Sequence, residues 1–154
     1  VYKYMLPSGK VNERPFEQPL LTMDWSPASE KAVEYLLSFK DILKKVIAIH
    51  VINEKEFKST SAMEIQSLRK ENKQKLEEVC ETFEKAGVEA ESHLYVGSTF
   101  EQIEKAANER EATMIVAGTT GKNPLKEMVL GSVATKLTKH SVLPSLLVPA
   151  SVKL

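Results

Sequence analysis

The chain has 154 residues, which suits one compact domain, and 42% of them are hydrophobic and 27% charged, as is usual for globular proteins. Lys and Arg together number 21, as do Asp and Glu, and this balance argues against binding to nucleic acid or to an anionic membrane surface, both of which need a surplus of positive charge. No apolar run approaches the roughly 18 residues that a membrane-spanning helix needs.

The first 18 residues lack the periodicity of a helix or a strand. They mix proline, glycine, asparagine and charged side chains, and a hairpin turn at Ser8 and Gly9 is the best-defined structure that this pattern offers. We therefore expect residues 1–18 to form an irregular extension and residues 19–154 to form a single domain.

The first strand and the first helix are expected on either side of Asp24. The largely apolar residues 20–23, Leu-Leu-Thr-Met, predict a short strand that ends at this aspartate. Ser26 then offers an oxygen for a helix N-cap, and Pro27 suits the first helical position. Apolar residues at helical spacing extend the predicted helix to about Leu43.

Strands and helices alternate along the rest of the chain. Further strands are expected at residues 45–52, 88–96, 113–117 and 145–149. Further helices are expected at residues 61–86, from residue 98 and at 132–140. The β-branched run in the second strand is typical of a strand covered on both faces, whereas the alternation at 88–96 indicates a strand near a sheet edge. The only cysteine, Cys80, is interpreted as a buried thiol, and its having no disulfide partner favours a cytoplasmic protein.

This alternation predicts an α/β fold of Rossmann type. Strand-helix-strand units form parallel sheets with right-handed crossovers. We expect a doubly wound sheet of five parallel strands in the order 3-2-1-4-5. Ligands bind to such sheets beyond the carboxyl ends of the strands, where the strand order reverses. That rule points to Asp24, Val51 and Gly118, which lie at the ends of three predicted strands.

The segment between the fourth strand and the last helix carries the most informative motif. Two residues separate Gly118 from Gly121, nine separate Gly121 from Gly131, and Ser132 follows directly. Glycines let a polyphosphate approach backbone N–H groups, and a helix that starts here adds free N–H groups and the positive end of its dipole. The hydroxyl of Ser132 could cap the helix and donate to a phosphate oxygen, and Lys122 would add a positive charge. The alternative is that the glycines serve only in turns and at the helix entry.

Three segments resemble the universal stress protein family. Residues 118–149 are similar to its nucleotide-binding signature, residues 20–37 to its opening strand, Asp, Ser and helix, and residues 48–54 to its second strand. The resemblance covers about residues 19–150. It implies ATP as the ligand, with Mg²⁺ or Mn²⁺ as candidate accompanying ions, and a nucleotide-dependent regulatory or stress-response role.

The resemblance also implies a role for each matching position. Thr22 and Asp24 would contact adenine and ribose, with Asp24 accepting a ribose hydroxyl, and Val51 would meet adenine. The ribose and the phosphates would lie against the remaining positions, Ala117, Gly118, Gly121, Lys122, Gly131, Ser132 and Val133.

Other nucleotide-binding and catalytic motifs are missing from the sequence. A Walker loop would need glycine in place of Val116 and serine or threonine in place of Asn123, and a dinucleotide fingerprint follows none of the predicted strands. His50 ends a strand near the expected pocket, and we interpret it as a strand-end imidazole with satisfied hydrogen bonds. No base or water-orienting residue is identified, so we expect ATP to act as a ligand with at most slow hydrolysis.

The last predicted strand is expected to form a homodimer. It resembles the family's dimer strand, which pairs antiparallel with its twin, through Ser145, Leu146, Leu147 and Val148. An apolar strand left unpaired at a sheet edge would promote aggregation. An ordinary edge strand between two prolines is the structural alternative, and a nucleotide-free dimeric interaction module of the same fold is the functional one.

Overall fold

The computed structural model describes residues 6, 8–58, 61–119, 131–151 and 153. The strands are β1 (Pro19–Thr22), β2 (Lys45–Asn53), β3 (Glu89–Gly97), β4 (Met114–Gly118) and β5 (Ser145–Val148). The helices are α1 (Pro27–Ser38), α2 (Glu54–Lys58), α3 (Ala62–Lys85), α4 (Thr99–Glu109) and α5 (Ser132–His140), with a 3-10 turn at Lys40–Ile42. The alternation of strands and helices expected from the sequence is confirmed.

The strands within the described residues form one parallel sheet of five strands in the order β3-β2-β1-β4-β5. Leu20 in the central strand β1 lies opposite Ile47 of β2 on one side and Ile115 of β4 on the other. The direction in which strands are added reverses between β1 and β4, so the switch point of this doubly wound sheet lies between them. Both the fold and the strand order agree with the prediction.

Two apolar clusters cover the two faces of the sheet. One contains the inner side chains of α1 and α3, such as Leu36 and Phe83, and the other contains those of α4 and α5, such as Ile103 and Leu137. Successive β2 residues point to opposite faces, so Ala48 belongs to the first cluster and its neighbours in the chain to the second. Full burial of each large side chain contributes about 1.5–3 kcal/mol.

The strand predicted to lie near a sheet edge, β3, does form one edge. Its apolar residues Ala90 and Leu94 pack against the cluster beneath α3. On the other face Glu91 and His93 are half-exposed. Such charged residues discourage unwanted pairing at an open edge.

Helix α1 is shorter than expected. It begins at Pro27 after an N-cap at Ser26, as predicted, but ends at Ser38 rather than near Leu43. Phe39 leaves the helical conformation, with φ −124° and ψ 38°, and its ring packs edge-on against two other aromatic rings. One of these two rings, that of Phe16, belongs to the N-terminal segment and not to the helix, so the apolar spacing alone did not reveal where the helix ends.

Helix α3 lies within one residue of the predicted bounds at each end, but its first half is more exposed than its apolar spacing suggests. Ser61 caps it, and Gly87 with φ +86° follows its last turn. Ile65 and Leu68 are only half-buried, and the buried positions begin at Asn72. α3 follows the carboxyl end of β2 and runs back along the sheet, so its exposed half lies towards the carboxyl edge. None of the helices among the described residues is long and apolar enough to cross a membrane.

Residues 8–18 cross the opposite edge of the sheet, at the amino ends of the strands. The side-chain amide of Asn12 donates to the carbonyl oxygen of Thr113 over 2.8 Å, and the Thr113 hydroxyl donates to that of Pro15 over 2.8 Å. The backbone N–H of Thr113 donates a hydrogen bond to the carbonyl oxygen of Gln18 over 2.9 Å. This segment is therefore attached to the sheet, and the division of the chain at residue 18 stays a proposal.

Candidate functional site

Three elements meet at the carboxyl ends of β1 and β4. The Gly131 N–H donates to the carbonyl oxygen of Thr119 over 2.7 Å, which joins the start of α5 to the end of β4. Gly118 lies against the first turn of α1, where a Cβ built on the glycine would be 2.6 Å from the Cβ of Ala28. The N-termini of α1 and α5 therefore both lie at the switch point of the sheet, the usual ligand position in this architecture.

Helix α5 begins with amide groups that have no acceptor among the described residues. Gly131 is the N-cap, with φ −61° and ψ 159°, and its carbonyl oxygen accepts the first helical hydrogen bond, from Thr135 N–H over 2.9 Å. The N–H groups of Ser132, Val133 and Ala134 precede that bond. Free amides and the helix dipole together favour an anion at this end of α5.

The expectation that Ser132 caps α5 is wrong. The chain is extended one residue earlier, at Gly131, so that Ser132 is the first helical residue and no side chain caps the helix. The Gly131 carbonyl oxygen also accepts the Thr135 hydroxyl over 2.9 Å. Ser132 is exposed, and its hydroxyl makes no hydrogen bond with any described residue.

Asp24 follows β1 in a turn that its own carboxylate stabilises. Oδ1 accepts the Ser26 N–H over 2.9 Å, whereas Oδ2 has no donor among the described residues. The Met23 N–H donates to the carbonyl oxygen of Ile49 over 2.8 Å and so extends the pairing of β1 with β2 as far as the turn. Thr22, which lies opposite Ile49, is partly exposed at the same strand end.

Trp25 adopts a backbone conformation that bulky residues rarely take, with φ +63°. Its indole N–H donates to Oδ1 of Asn72 in α3 over 2.8 Å. The centroid of the Trp25 ring lies 5.4 Å from the centroid of the His50 ring. The ammonium group of Lys75, in α3, lies 5.3 Å from the centroid of the Trp25 ring.

His50, at the end of β2, contacts the same turn through its ring. Its Nδ1 lies 2.6 Å from the carbonyl oxygen of Met23, and because a carbonyl oxygen only accepts, the proton is on Nδ1. The interpretation of His50 as a strand-end imidazole with a satisfied hydrogen bond agrees with this contact.

The remaining predicted positions divide into two groups. Val51 and Ala117 are 8% and 4% exposed and share one apolar cluster, and Val133 packs against it. These three side chains form an apolar layer below the strand ends. Gly121 and Lys122 lie outside the described residues.

The sequence did not predict that Thr119, Trp25 and Asn72 take part in the structure of the site. Asn72 did carry a signal, because it lies four residues from both Leu68 and Leu76 in the apolar stripe of α3, and a buried amide there needs a partner. Nothing distinguished Thr119, which acts through its backbone.

Cys80 lies on the inner face of α3. It is 7% exposed, and burial raises the pKa of its thiol, which disfavours the reactive thiolate. The interpretation of Cys80 as a buried thiol is confirmed. In the part of the chain that the structure describes, no three His, Cys, Asp or Glu side chains gather as metal ligands.

Comparison with known proteins gives a consistent result. The sequence model of the Universal stress protein family matches residues 16–149. Universal stress protein MJ0577 of Methanocaldococcus jannaschii is 29% identical over an alignment of 153 positions, which spans 86% of this chain and 94% of that protein. The solved structure of MJ0577 superposes with a TM-score of 0.77 at 34% identity, covering 86% of this chain and 95% of the other.

Two more distant structures hold a nucleotide. A universal stress protein in complex with cAMP has a TM-score of 0.66 and 20% identity, covering 89% of this chain and 99% of the other. A universal stress protein family protein from Arabidopsis thaliana with AMP bound has a TM-score of 0.60 and 16% identity, covering 86% and 90%. At these identities the likeness concerns the fold alone. Because the family model spans most of the sequence, this chain belongs to the universal stress protein family.

Proposed function

We propose that this chain binds ATP at the carboxyl ends of β1, β2 and β4 and acts as a nucleotide-dependent regulatory or stress-response module. The observation that carries the proposal is the start of α5 at the switch point of the sheet, where the N–H groups of Ser132, Val133 and Ala134 lack acceptors among the described residues. The triphosphate would accept from these amides beside Gly131, which has no Cβ to obstruct it. The cAMP and AMP complexes of other proteins with this fold support the proposal.

The adenosine would lie across the ends of β1 and β2. Oδ1 of Asp24 is occupied by the Ser26 N–H, which leaves Oδ2 to accept a ribose hydroxyl. Val51 would offer an apolar side chain, and Thr22 the backbone of a strand end, to the adenine ring. Gly118 and Ala117 would lie on the ribose side, and Gly121 and Lys122 would complete the phosphate contacts.

Within the described residues, the groups near the proposed phosphates are amide and hydroxyl donors. The protein would therefore hold the phosphate oxygens directly. Any Mg²⁺ or Mn²⁺ would enter bound to the triphosphate, whose charge it would neutralise.

ATP is proposed to be a ligand whose occupancy changes partner affinity or conformation. A hydrolase would need a group that activates water. Oδ1 of Asp24 accepts the Ser26 N–H, and Nδ1 of His50 donates to the carbonyl oxygen of Met23, so both side chains take part in the turn after β1. We assign neither side chain as a base for water, and hydrolysis would be slow at most.

We also propose that the chain forms a homodimer through β5, the strand at the other edge of the sheet. The carbonyl oxygens of Pro144 and Val148 accept hydrogen bonds from the β4 side, so Ser145 and Leu147 direct their backbone groups outwards. Val142, just before this strand, is 53% exposed. Antiparallel pairing with a second copy would satisfy the outward groups and cover apolar surface.

The first experiment is to denature the purified protein and to identify released nucleotides by chromatography and mass spectrometry, followed by calorimetric titration with ATP. We expect an adenine nucleotide in the eluate and saturable binding of ATP. In the variant Gly131→Val the affinity should fall about tenfold or more, because a branched side chain would occupy the space of the phosphate. The φ of −61° at this position is accessible to any residue, so the fold should be retained.

The control is Gly131→Ala, whose single methyl group should weaken binding less than valine does. An empty eluate and no heat on titration with ATP would overturn the proposal and favour a nucleotide-free interaction module. If Gly131→Val bound ATP with unchanged affinity, the phosphates would not bind at the start of α5.

A further inference from the structure

The turn after β1 depends on contacts that come from a different part of the chain. Trp25 is the residue after Asp24, and its φ of +63° is costly for a bulky side chain. Such a conformation persists only where the surroundings hold it in place. Here the indole is held by Asn72, His50 and Lys75.

The hydrogen-bond acceptor for the indole is itself rigid. Asn72 is 5% exposed, and its Nδ2 donates to the carbonyl oxygen of Leu68, one turn earlier in α3, over 2.8 Å. Its Oδ1 therefore points in one direction, towards the Trp25 N–H. Both polar ends of the amide are used, as expected for a buried polar side chain.

Loss of the contacts of the indole would alter the orientation of the Asp24 carboxylate, because Trp25 directly follows Asp24 in the chain. If Trp25 relaxed to a negative φ, the peptide between residues 24 and 25 would rotate. The Ser26 N–H, which holds Oδ1 of Asp24 over 2.9 Å, would move with it. The direction of Oδ2 would then no longer be fixed.

We propose that Trp25 is a positioning residue: its indole, held by Asn72, sets the direction of the Asp24 carboxylate at the nucleotide site. This inference rests on the proposed function, because it concerns the oxygen that would accept a ribose hydroxyl. It also ties the site to α3, whose exposed first half ends just before Asn72. Neither residue is expected to touch the nucleotide.

The test compares ATP with 2′-deoxy-ATP and 3′-deoxy-ATP by calorimetry. The ratio of the dissociation constants measures how much the carboxylate contributes through the ribose hydroxyl. In the wild type we expect one deoxy analogue to bind about tenfold more weakly than ATP, as for the loss of a hydrogen bond to a charged group. In Asn72→Leu, and independently in Trp25→Phe, this ratio should fall to about threefold or less.

The double variant should lower the ratio no further than either single variant, because both remove the same N–H to Oδ1 bond. Trp25 is the only tryptophan in the chain, so its emission spectrum should shift in Asn72→Leu and report a change at the indole itself. The matched control is Val79→Ala, a buried position on α3 in the same apolar cluster. It should lower stability while the ratio stays at the wild-type value.

Two outcomes would overturn the positioning role alone. In the first, both variants bind ATP and its deoxy analogues more weakly by the same factor, so that the ratio of dissociation constants is unchanged. In the second, the wild type binds ATP and both deoxy analogues equally well. A wild type that does not bind ATP would overturn both this inference and the proposed function.

Discussion

Gly118 at the end of β4 lies so close to Ala28 in the first turn of α1 that a Cβ on the glycine would be 2.6 Å from the Cβ of the alanine. The same Cβ would lie 2.9 Å from the carbonyl carbon of Ala28 and from the amide nitrogen of Ser29. Two of these three atoms belong to the backbone, so no side-chain rotation can relieve the overlap. Packing between strand and helix is therefore enough to require glycine here, whether or not a ligand is bound.

We predict that Gly118→Ala lowers the free energy of unfolding by about 1–3 kcal/mol, the usual cost of overpacking. The cost arises because α1 must move away from the sheet. Urea denaturation followed by circular dichroism would measure it. Gly131→Ala is the matched control, since φ is −61° there, and its effect should stay within about 0.5 kcal/mol. Equal effects of the two substitutions would contradict the packing argument.

Helices α3 and α4 end in the same type of hydrogen-bonded turn. In each turn one residue after the helix adopts the left-handed backbone conformation, with positive φ, and this residue differs between the two helices. After α3 this position is Gly87 with φ +86°, and after α4 it is Glu111 with φ +55°. In each case the next N–H donates to the carbonyl oxygen five residues earlier over 2.9 Å. Glycine takes this conformation without strain, whereas glutamate does not.

We therefore predict that Glu111→Gly raises the free energy of unfolding by about 0.5–1 kcal/mol, since relief of strain exceeds the added entropy of the unfolded chain. The reverse change, Gly87→Ala, should lower it by about 1 kcal/mol. Thermal denaturation of both variants would measure the effects. The carbonyl oxygen of Glu111 that accepts from the Gln18 side chain is retained in Glu111→Gly. A decrease in stability would indicate that the glutamate side chain itself stabilises the fold.

The fold was predictable because its determinants are local in the sequence. The β-branched run of β2, the N-cap at Ser26 and the stop at Gly87 each define an element within a few residues. The end of α1 was not predictable, because Phe39 packs against Phe16 from the N-terminal segment. Only the folded chain brings those two rings together.

The candidate site was predictable in part for the same reason. The glycine spacing and Asp24 are short-range patterns, and they led to the carboxyl edge of the sheet. The bond between Trp25 and Asn72 joins residues 47 apart in sequence, so no local pattern could indicate it. Gly118 shows a second limit of prediction from sequence. A glycine can be required by close packing, by ligand binding or by both, and the sequence alone does not distinguish these reasons.

Glu91 on β3 links the charged groups of two neighbouring strands. Its Oε1 lies 2.6 Å from Nζ of Lys45, and its Oε2 lies 2.9 Å from Nε2 of His93. Burial alone would raise the pKa of Glu91, but the hydrogen bonds from Lys45 and His93 outweigh it, and the pKa falls below its ordinary value of 4.5. The hydrogen bond to Glu91 raises the pKa of Lys45 above 10.5.

A carboxylate with a lowered pKa in the folded state stabilises the protein above its unfolded-state pKa, and this contribution is lost as the pH falls through the folded-state pKa. For Lys45, with a raised pKa, the contribution is present below its ordinary pKa. We predict that Glu91→Gln lowers the free energy of unfolding at pH 7 by about 0.5–1 kcal/mol, as for a partly exposed ion pair. The difference from the wild type should shrink between pH 5 and pH 3 in urea titrations. A difference that does not change with pH would contradict the role of the charge.

The proposed dimer can be tested at Ser145, whose backbone N–H points away from β4. Ser145→Pro removes that donor without touching the hydrogen bonds between β4 and β5, and Ser145→Ala is the matched control. The Ser145 hydroxyl is buried and has no partner among the described residues, so losing it costs little. We expect the dimer dissociation constant to rise about tenfold or more in Ser145→Pro and to change little in Ser145→Ala. Sedimentation or light scattering over a range of concentrations measures it, and a wild type that is monomeric throughout would refute the dimer.

Ser132 and Thr135, one turn apart at the start of α5, should separate binding from stability. The Ser132 hydroxyl caps nothing, so Ser132→Ala should leave the free energy of unfolding within about 0.5 kcal/mol of the wild type. It should weaken ATP binding about tenfold or more, through loss of a hydrogen bond to a charged phosphate. Thr135→Val removes the bond to the Gly131 carbonyl oxygen and should lower stability by about 0.5–1.5 kcal/mol while affinity stays near the wild type. Calorimetry and urea denaturation on both variants test this opposite pattern, and wild-type affinity in Ser132→Ala would show that its hydroxyl does not contact the phosphates.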